Sequence, residues 1–403
     1  MNQTTIREVE GQEMLDILHR LGTYAFNSSP PLLDKEPWAE NARARQGTSY
    51  VALFVAEEAG AAGTGVAIAA SANMTQQVRG HIFPMAGIWG VATLPAARRC
   101  GYSRQVLTRL LATQRERGYV FSTLYPFRES FYQRLGYVTF PLPQKVFFNP
   151  AGLAPLLQWS LPGKVTLTTT DTDLEQYAAY MRQLQPHVHG LARFDHLNAV
   201  AVQRRPSWQA VAWVDGQPVG LMLYHLQGEA PTEFLMRIPR FYYHTPAGRY
   251  LLLEWIARHI DQANQVEMWL SPAERPESWL ADLAPRSETM VRAPMGRVLD
   301  VAKIGGLAAR PGQFSAHISD PICPWNEGVW QFSAVEGRLV VQSAPAGATA
   351  DTDLTIQGLS ALIYGTHDPA DFALRGWGSP SPTLQTTLRQ MFPAGLPYLH
   401  EYF

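Results

Sequence analysis

Between Gly87 and Pro141 the chain sets two groups of chemistry-bearing residues at either end of one amphipathic stretch. The first is Arg98-Arg99-Cys100-Gly101-Tyr102-Ser103-Arg104, which follows the apolar run Ile88 to Thr93 through Leu94-Pro95. A strand that turns into a helix leaves the first N–H groups of that helix without intrahelical partners, and such an end attracts anions. Gly101 lets the backbone approach a ligand closely, and Ser103 is small enough to leave a phosphate position open. The second group is Phe131-Tyr132-Gln133-Arg134-Leu135-Gly136-Tyr137. A phenol with an ordinary pKa of about 10 can donate a proton to a departing thiolate whose conjugate acid lies near 8.5. Together the groups suit acyl transfer from a pyrophosphate-bearing thioester. The same residues also read as a solvated turn with arginines and an aromatic packed on Leu135. Cys100, set among arginines, has the surroundings that make a thiol reactive.

Alternating α and β segments surround these groups. Gln12 to Tyr24 reads as a helix, and Ser49 to Glu57 and Thr64 to Met74 read as strands joined by the glycine-rich Ala59 to Gly63. Ile88 to Thr93 is a third strand. The helix after Gly101 places Val106, Leu107, Leu110 and Leu111 on one side, Gly118 stops it, and Tyr119 to Leu124 is the next strand. From Lys145 a similar order recurs. Ala210 to Val214 and Val219 to Leu226 flank the turn Asp215-Gly216, Glu233 to Ile238 is a strand, Tyr250 to Asp261 a helix, and Val266 to Leu270 a strand. That order suggests an internal duplication. Beyond Pro294 the pattern changes: Val298 to Val301, Gly328 to Ala334 and Arg338 to Ser343 read as strands, Thr355 to Tyr364 and Pro382 to Met391 as helices, and the chain ends on the apolar Leu399-His400-Glu401-Tyr402-Phe403.

A chain of 403 residues exceeds what one core usually supports. The 33 basic and 34 acidic side chains give a net charge of −1, so there is no electrostatic footprint for nucleic acid. No apolar run of membrane-spanning length and no leader-like start occur, which predicts a soluble, cytoplasmic protein. Two cysteines, Cys100 and Cys323, give neither a disulfide framework nor zinc spacing. His187-Val188-His189 lacks a third ligand at zinc-like spacing, so no metal is expected. With 17% charged residues and 11 tryptophans, a homo-oligomer is expected rather than a monomer.

The run Val91-Ala92-Thr93 with Arg98-Arg99-Cys100-Gly101-Tyr102-Ser103 resembles the acetyl-CoA motif of GNAT acetyltransferases, Arg/Gln-x-x-Gly-x-Gly/Ala, with Ser103 departing at the last position. With Phe131 to Tyr137 and the two regions that follow, the chain resembles the Eis (enhanced intracellular survival) acetyltransferases. The resemblance implies α/β and α+β architecture: two tandem GNAT-like domains, the second degenerate, plus a C-terminal sterol-carrier-like domain, at residues 1–144, 145–292 and 293–403. It implies acetyl transfer from acetyl-CoA to amines, among them several sites on aminoglycosides, in a homohexamer. Position by position, Val91, Ala92 and Thr93 would offer backbone groups to the pantetheine arm, and the Val91 N–H would polarise the thioester carbonyl. Arg99, Cys100, Gly101, Tyr102, Ser103 and Arg104 would cradle the pyrophosphate, and Phe127 and Arg128 would line the cofactor. Tyr132 would be the general acid. The Phe403 carboxylate, at the chain's own end, would be the base that deprotonates the amine. A polycationic acceptor wants an acidic and aromatic pocket, for which Phe26, Asp34, Glu36, Trp38 and Glu401 are available. Tyr243 to Arg249, at the place of the phosphate loop in the second region, has one glycine and little basic charge before it, which predicts no cofactor there.

Overall fold

The computed structural model describes residues 3–27, 30–31, 34–36, 39–40, 47–56, 63–194, 206–289, 292–345 and 347–403. Trp38 and most of the Ala59 to Gly63 connection lie outside them. Two compact units divide the chain: Met1–Phe140 with His189–Asn198 and Pro294–Phe403, and Pro141–Val188 with Ala199–Ala293.

In the first unit, β1 (Gln3–Glu8) leads to α1 (Gly11–Asn27), β2 (Ser49–Ala56), β3 (Thr64–Val78), β4 (His81–Thr93), α2 (Tyr102–Glu116), β5 (Phe121–Leu124), α3 (Glu129–Gln133) and β6 (Val138–Thr139). Strands β1 to β5 lie side by side in chain order, antiparallel except for the parallel pair β4–β5. The β3–β4 hairpin is longer than the apolar runs suggest. It closes at Arg79-Gly80, where φ values of 45° and 75° give the doubly left-handed turn that matches strand twist. Its polar stretch survives burial because Gln76 is hydrogen-bonded: Nε2 donates to Gly190 O at 3.0 Å and Oε1 accepts from the Tyr364 hydroxyl at 2.8 Å. Helix α2 buries Val106, Leu107, Leu110 and Leu111 against one face of this sheet, and α1 buries Leu15, Leu18 and Leu21 against the other.

The second unit holds β7 (Gln144–Phe148), β8 (Lys164–Thr169), α4 (Leu174–Leu184), β10 (Trp208–Val214), β11 (Gln217–Gln227), β12 (Phe234–Tyr243), α5 (Pro246–Ala257), β13 (Ala263–Leu270) and β14 (Arg286–Thr289). The short β9 (Ala192–Phe194) pairs with β3 and belongs to the first unit. Strand order is β14-β7-β13-β12-β11-β10-β8, with β12–β13 again parallel. From β8 to β13 the order strand, helix, three strands, helix, strand repeats that of β1 to β5, so the duplication suggested by sequence is present in topology.

After the second unit the chain returns as β15 (Met295–Val298), which pairs with β5 and β6 in the first sheet. The strand expected at Val298 to Val301 therefore lies three residues earlier. It stops because Leu299 and Asp300 turn their N–H groups onto Val120 O, and a helical turn follows at Val301–Lys303. A third sheet, ordered β18-β17-β16-β19, contains β16 (Gln313–Ser319), β17 (Gly328–Val335), β18 (Arg338–Ser343) and β19 (Thr352–Thr355). It is followed by α6 (Ile356–Tyr364), α7 (Phe372–Arg375) and α8 (Pro382–Met391). One continuous core joins this region to the first sheet, running from Phe83 and Phe121 to Phe332, Leu362 and Leu388. No helix among the described residues is long and apolar enough to cross a membrane.

Candidate functional site

The site begins with a defect in β4. Opposite β3, Ile68 pairs with Ala92 and Ala70 with Trp89, so β4 carries one extra residue across that interval. Gly90, with φ of 61°, takes the left-handed conformation the bulge needs. The last parallel pairs with β5 are Gly87 with Thr123 and Ile88 with Leu124; β5 ends there while β4 continues to Thr93. The backbone of Val91, Ala92 and Thr93 thus runs along β4 past the end of β5, at a bulge, where ladder hydrogen bonds are interrupted. Of the three, Ala92 is buried, and Val91 and Thr93 are half-buried.

The turn that follows leaves the start of a helix uncapped. Arg98 is extended, Arg99 and Gly101 have φ of 65° and 77°, and no side chain caps the start of α2. A Cβ at Gly101 would meet nothing within 4 Å, so the space above the turn is open. Arg99, Cys100, Gly101 and Arg104 are exposed, and Tyr102 and Ser103 are half-buried. The departure at Ser103 is accommodated: its hydroxyl pairs with Thr93 Oγ1 at 2.7 Å. Arg98 Nε approaches Thr93 O at 3.4 Å, and its guanidinium lies over Tyr24. The Cys100 thiol is free and donates weakly to Arg98 O at 3.6 Å.

Tyr132 sits on α3, in the core that α2 forms with Ile88 and Leu124. Its ring is packed edge-on by Phe131, Phe127 and Tyr137 at centroid distances of 5.0, 5.6 and 6.0 Å. Burial, and secondarily Tyr137, holds its phenol well above the ordinary tyrosine range, so it keeps its proton at neutral pH. The hydroxyl makes no hydrogen bond among the described residues. Phe127 and Arg128 are exposed just ahead of α3, and the Phe127 ring meets Phe131 at a tilt and Tyr132 edge-on.

Behind Tyr132 lies support that sequence reasoning missed. The buried Arg297 of β15 donates from Nε to Val298 O at 3.0 Å and from its terminal nitrogens to Leu135 O and Asp320 Oδ2. Asp320, equally buried, also accepts from Asn326 Nδ2 at 2.9 Å and the Cys323 N–H at 3.2 Å. Tyr132 O in turn accepts the N–H groups of Leu135 and Tyr137. Gly136 has φ of 93°, and a Cβ there would stand 2.6 Å from the Arg297 guanidinium. The Gly136 in the Phe131 to Tyr137 motif was the one sequence signal of this close approach.

The C-terminal tail reaches β4 from the other face. Gly87 and Trp89 alternate with Ala86 and Ile88 along the strand, so they point away from the Tyr132 side. Leu399 is fully buried, His400 has φ of 56°, and the Glu401 N–H bonds Leu399 O at 2.8 Å, which turns the chain sharply. Tyr402 stacks on Tyr125 at 4.4 Å. The Phe403 ring lies 5.8 Å from Tyr125 and sits where Gly87 lacks a side chain: a Cβ on Gly87 would be 3.0 and 3.1 Å from Phe403 Cδ2 and Cε2. Tyr132, in the core that includes Ala86 and Ile88, and the Phe403 ring, against Gly87, therefore lie on opposite faces of β4. The other expected acceptor residues divide: Glu401 is buried beside the tail, Phe26 is 61% exposed at the end of α1, and Asp34 and Glu36 are exposed.

The counterpart in the second unit differs at each point. Its α5 is capped by Thr245 Oγ1, which accepts the Gly248 N–H at 3.1 Å. A Cβ on Gly248 would meet Val219 O at 2.2 Å, so the helix start abuts a strand rather than open space. The β12 bulge, between Arg237 and Arg240, contains Pro239, which has no N–H to offer. His187 stacks on His244 in this unit, whereas His189 is hydrogen-bonded in the first. Among the described residues no group of three or more His, Cys, Asp and Glu is arranged to hold a metal.

Residues 5–140 match an acetyltransferase (GNAT) domain family, residues 190–298 a second GNAT domain family, and residues 305–400 a sterol carrier protein domain family. No curated protein matches the chain. Among solved structures, a probable N-acyltransferase from Enterococcus faecalis V583, described as a conserved protein of unknown function, is 20% identical with a TM-score of 0.80. Eis1 from Mycobacterium abscessus is 18% identical with a TM-score of 0.77. A GCN5-related N-acetyltransferase from Anabaena variabilis ATCC 29413 is 17% identical with a TM-score of 0.79. Each comparison covers 100% of both chains. The chain thus carries two GNAT acetyltransferase domains and a sterol carrier protein domain, and by that domain content it is an acetyltransferase.

Proposed function

We propose that the protein transfers the acetyl group of acetyl-CoA directly to a primary amine of a small molecule, of the aminoglycoside type, within a ternary complex. The observation that carries this reading is the meeting of distant parts of the chain at β4: the strand runs through Gly87 to Thr93 toward an uncapped helix turn, and the ring of Phe403 lies against Gly87. The open turn at Arg99 to Arg104 fits a pyrophosphate, because its N–H groups are uncapped and a Cβ at Gly101 would meet only space. Bound acetyl-CoA would supply an activated thioester.

The chain's own residues supply the rest. The Val91 N–H, at the β4 bulge, is assigned to the carbonyl oxygen that gains charge during attack. The Phe403 carboxylate takes a proton from the acceptor, since fewer than about one in a thousand amines of pKa 10.4 are neutral at pH 7. Tyr132, protonated and on the opposite face, delivers its proton to the sulfur that departs. Phe127 and Arg128 flank the donor, and Glu401 and Phe26 flank the acceptor. Six chains in one assembly and a cytoplasmic location complete the reading.

The test is release of free thiol from acetyl-CoA by the purified protein with a panel of amines: kanamycin, spermidine and a lysine-containing peptide. Release with kanamycin supports the reading; release only with spermidine or the peptide moves the acceptor class. Absence of release with every amine refutes it.

A further inference from the structure

His189 opens the segment that returns to the first unit, and its imidazole is engaged on both sides. Nδ1 accepts the backbone N–H of Arg79 at 3.2 Å, and Nε2 lies 2.9 Å from Tyr364 O. A carbonyl can only accept, so the proton is on Nε2 and the ring is neutral. Burial, with Arg79 adjacent, lowers its pKa to about 4, in keeping with this tautomer. The ring thereby joins the β3–β4 turn to the end of α6.

The backbone on either side of that ring is what the tail lies on. His189 O accepts the Tyr398 N–H at 2.8 Å, and the Ala192 N–H reaches Leu399 O at 3.4 Å. Gly190 donates to Gln77 O at 2.8 Å, and a Cβ there would stand 2.6 Å from Tyr398 N and 2.7 Å from Pro397 Cβ. The root of the tail is tied to the same hub. Arg79 donates to Ile363 O, Leu362 O and Pro393 O at 2.6, 3.0 and 2.8 Å, and the Gly395 N–H bonds Gly365 O at 2.9 Å. From Leu399 a single tight turn carries the chain to Phe403.

We infer that His189 is a positioning residue for the C-terminal carboxylate: by bridging Arg79 and Tyr364 it fixes the segment 189–192 along which residues 397–399 are laid, and so fixes where Phe403 sits. This rests on the assignment of Phe403 as base. Without the imidazole the segment 189–192 loses its direct bond to Tyr364 O and keeps only the indirect path through Gln76, which joins Gly190 O to the Tyr364 hydroxyl, and the tail shifts with the loosened backbone. A displacement of about 1 Å at a reacting group lowers a rate by as much as about 100-fold.

The experiment uses the full chain, acetyl-CoA and the most active amine of the panel above. His189→Ala is expected to lower kcat by about 10- to 100-fold while the KM for acetyl-CoA stays within about threefold. His189→Gln, whose amide can still donate to Tyr364 O, should restore most of kcat. His189→Asn keeps an acceptor for Arg79 but falls short of Tyr364, and it serves if the alanine variant does not fold. Unchanged kcat in a folded His189→Ala or His189→Asn protein overturns the inference, as does a parallel loss of acetyl-CoA affinity, which would mark a general structural role. A chain extended by one glycine after Phe403 separates this from the premise. Full activity of the extended chain removes the carboxylate as base; loss of activity there, with His189→Ala unaffected, removes only the clasp.

Discussion

Replacing Gly87 by alanine tests whether the chain terminus is held where it can act. The added methyl would stand 2.7 Å from Met74 Sδ and 3.0 and 3.1 Å from two carbons of the Phe403 ring. Carbon atoms at rest contact sit about 3.5 to 4.0 Å apart, so the ring must withdraw by roughly 0.5 to 1 Å. Met74 is flexible and can swing its sulfur aside, but Phe403 is confined by Tyr125 and the Tyr402 stack. Overpacking of this kind costs about 1–3 kcal/mol of stability. The α-carboxylate is joined to that ring through Cβ and Cα, so a ring that cannot rotate away between its aromatic neighbours shifts the whole residue, and kcat for thiol release is expected to fall by about 10- to 100-fold. The donor turn at Arg99 to Arg104 is untouched, so acetyl-CoA affinity, measured by calorimetry on the same preparation, should change by less than about threefold. Gly87→Ala combined with Phe403→Leu removes the ring that clashes and keeps the terminal carboxylate, so it should recover part of kcat. A folded Gly87→Ala protein with wild-type kcat would refute the assigned seat of the terminus.

Three further outcomes follow from the geometry. Tyr132→Phe removes a hydroxyl that no described residue bonds, so stability should change by less than about 1 kcal/mol while kcat falls about 100-fold or more and acetyl-CoA affinity persists; unchanged turnover removes its role as acid. Arg297→Met leaves Asp320 buried without its partner and should cost about 3–5 kcal/mol in denaturant unfolding, with Arg297→Met/Asp320→Leu recovering much of that; equal stability of the two variants would show that the pair does not matter. Burial lowers His189 and His367 from 6.5 to about 4, with Arg79 and Arg375 adding to the effect. The unfolded chain then binds more protons than the folded one between these values. Stability present above pH 6.5 is lost as pH falls toward 4, by up to about 3 kcal/mol for each complete transition. A denaturant midpoint that stays level from pH 7 to 4.5 would contradict this, and His189→Gln should reduce the slope.

The sequence by itself determined the elements whose signals are local. Helix α2 is legible because Val106, Leu107, Leu110 and Leu111 recur at helical spacing and Gly118 ends it, and the turn before it because arginines and Gly101 stand between a strand and a helix. The repeated order of strands and helices was readable for the same reason, since it depends on periodicity and turn residues within each stretch. Tertiary structure decided what depends on distant segments meeting. The polar half of the β3–β4 hairpin is a strand because Gln76 finds Gly190 and Tyr364, more than a hundred residues away. Strand β15 joins the first sheet because the edges of β5 and β6 need a partner there, which no local pattern announces. Arg297 reads as a surface charge until Asp320 and Leu135 O surround it. Phe403 is one more aromatic in the sequence; the missing side chain at Gly87 gives its ring a place against β4, because only packing brings residues so far apart in the chain to one point.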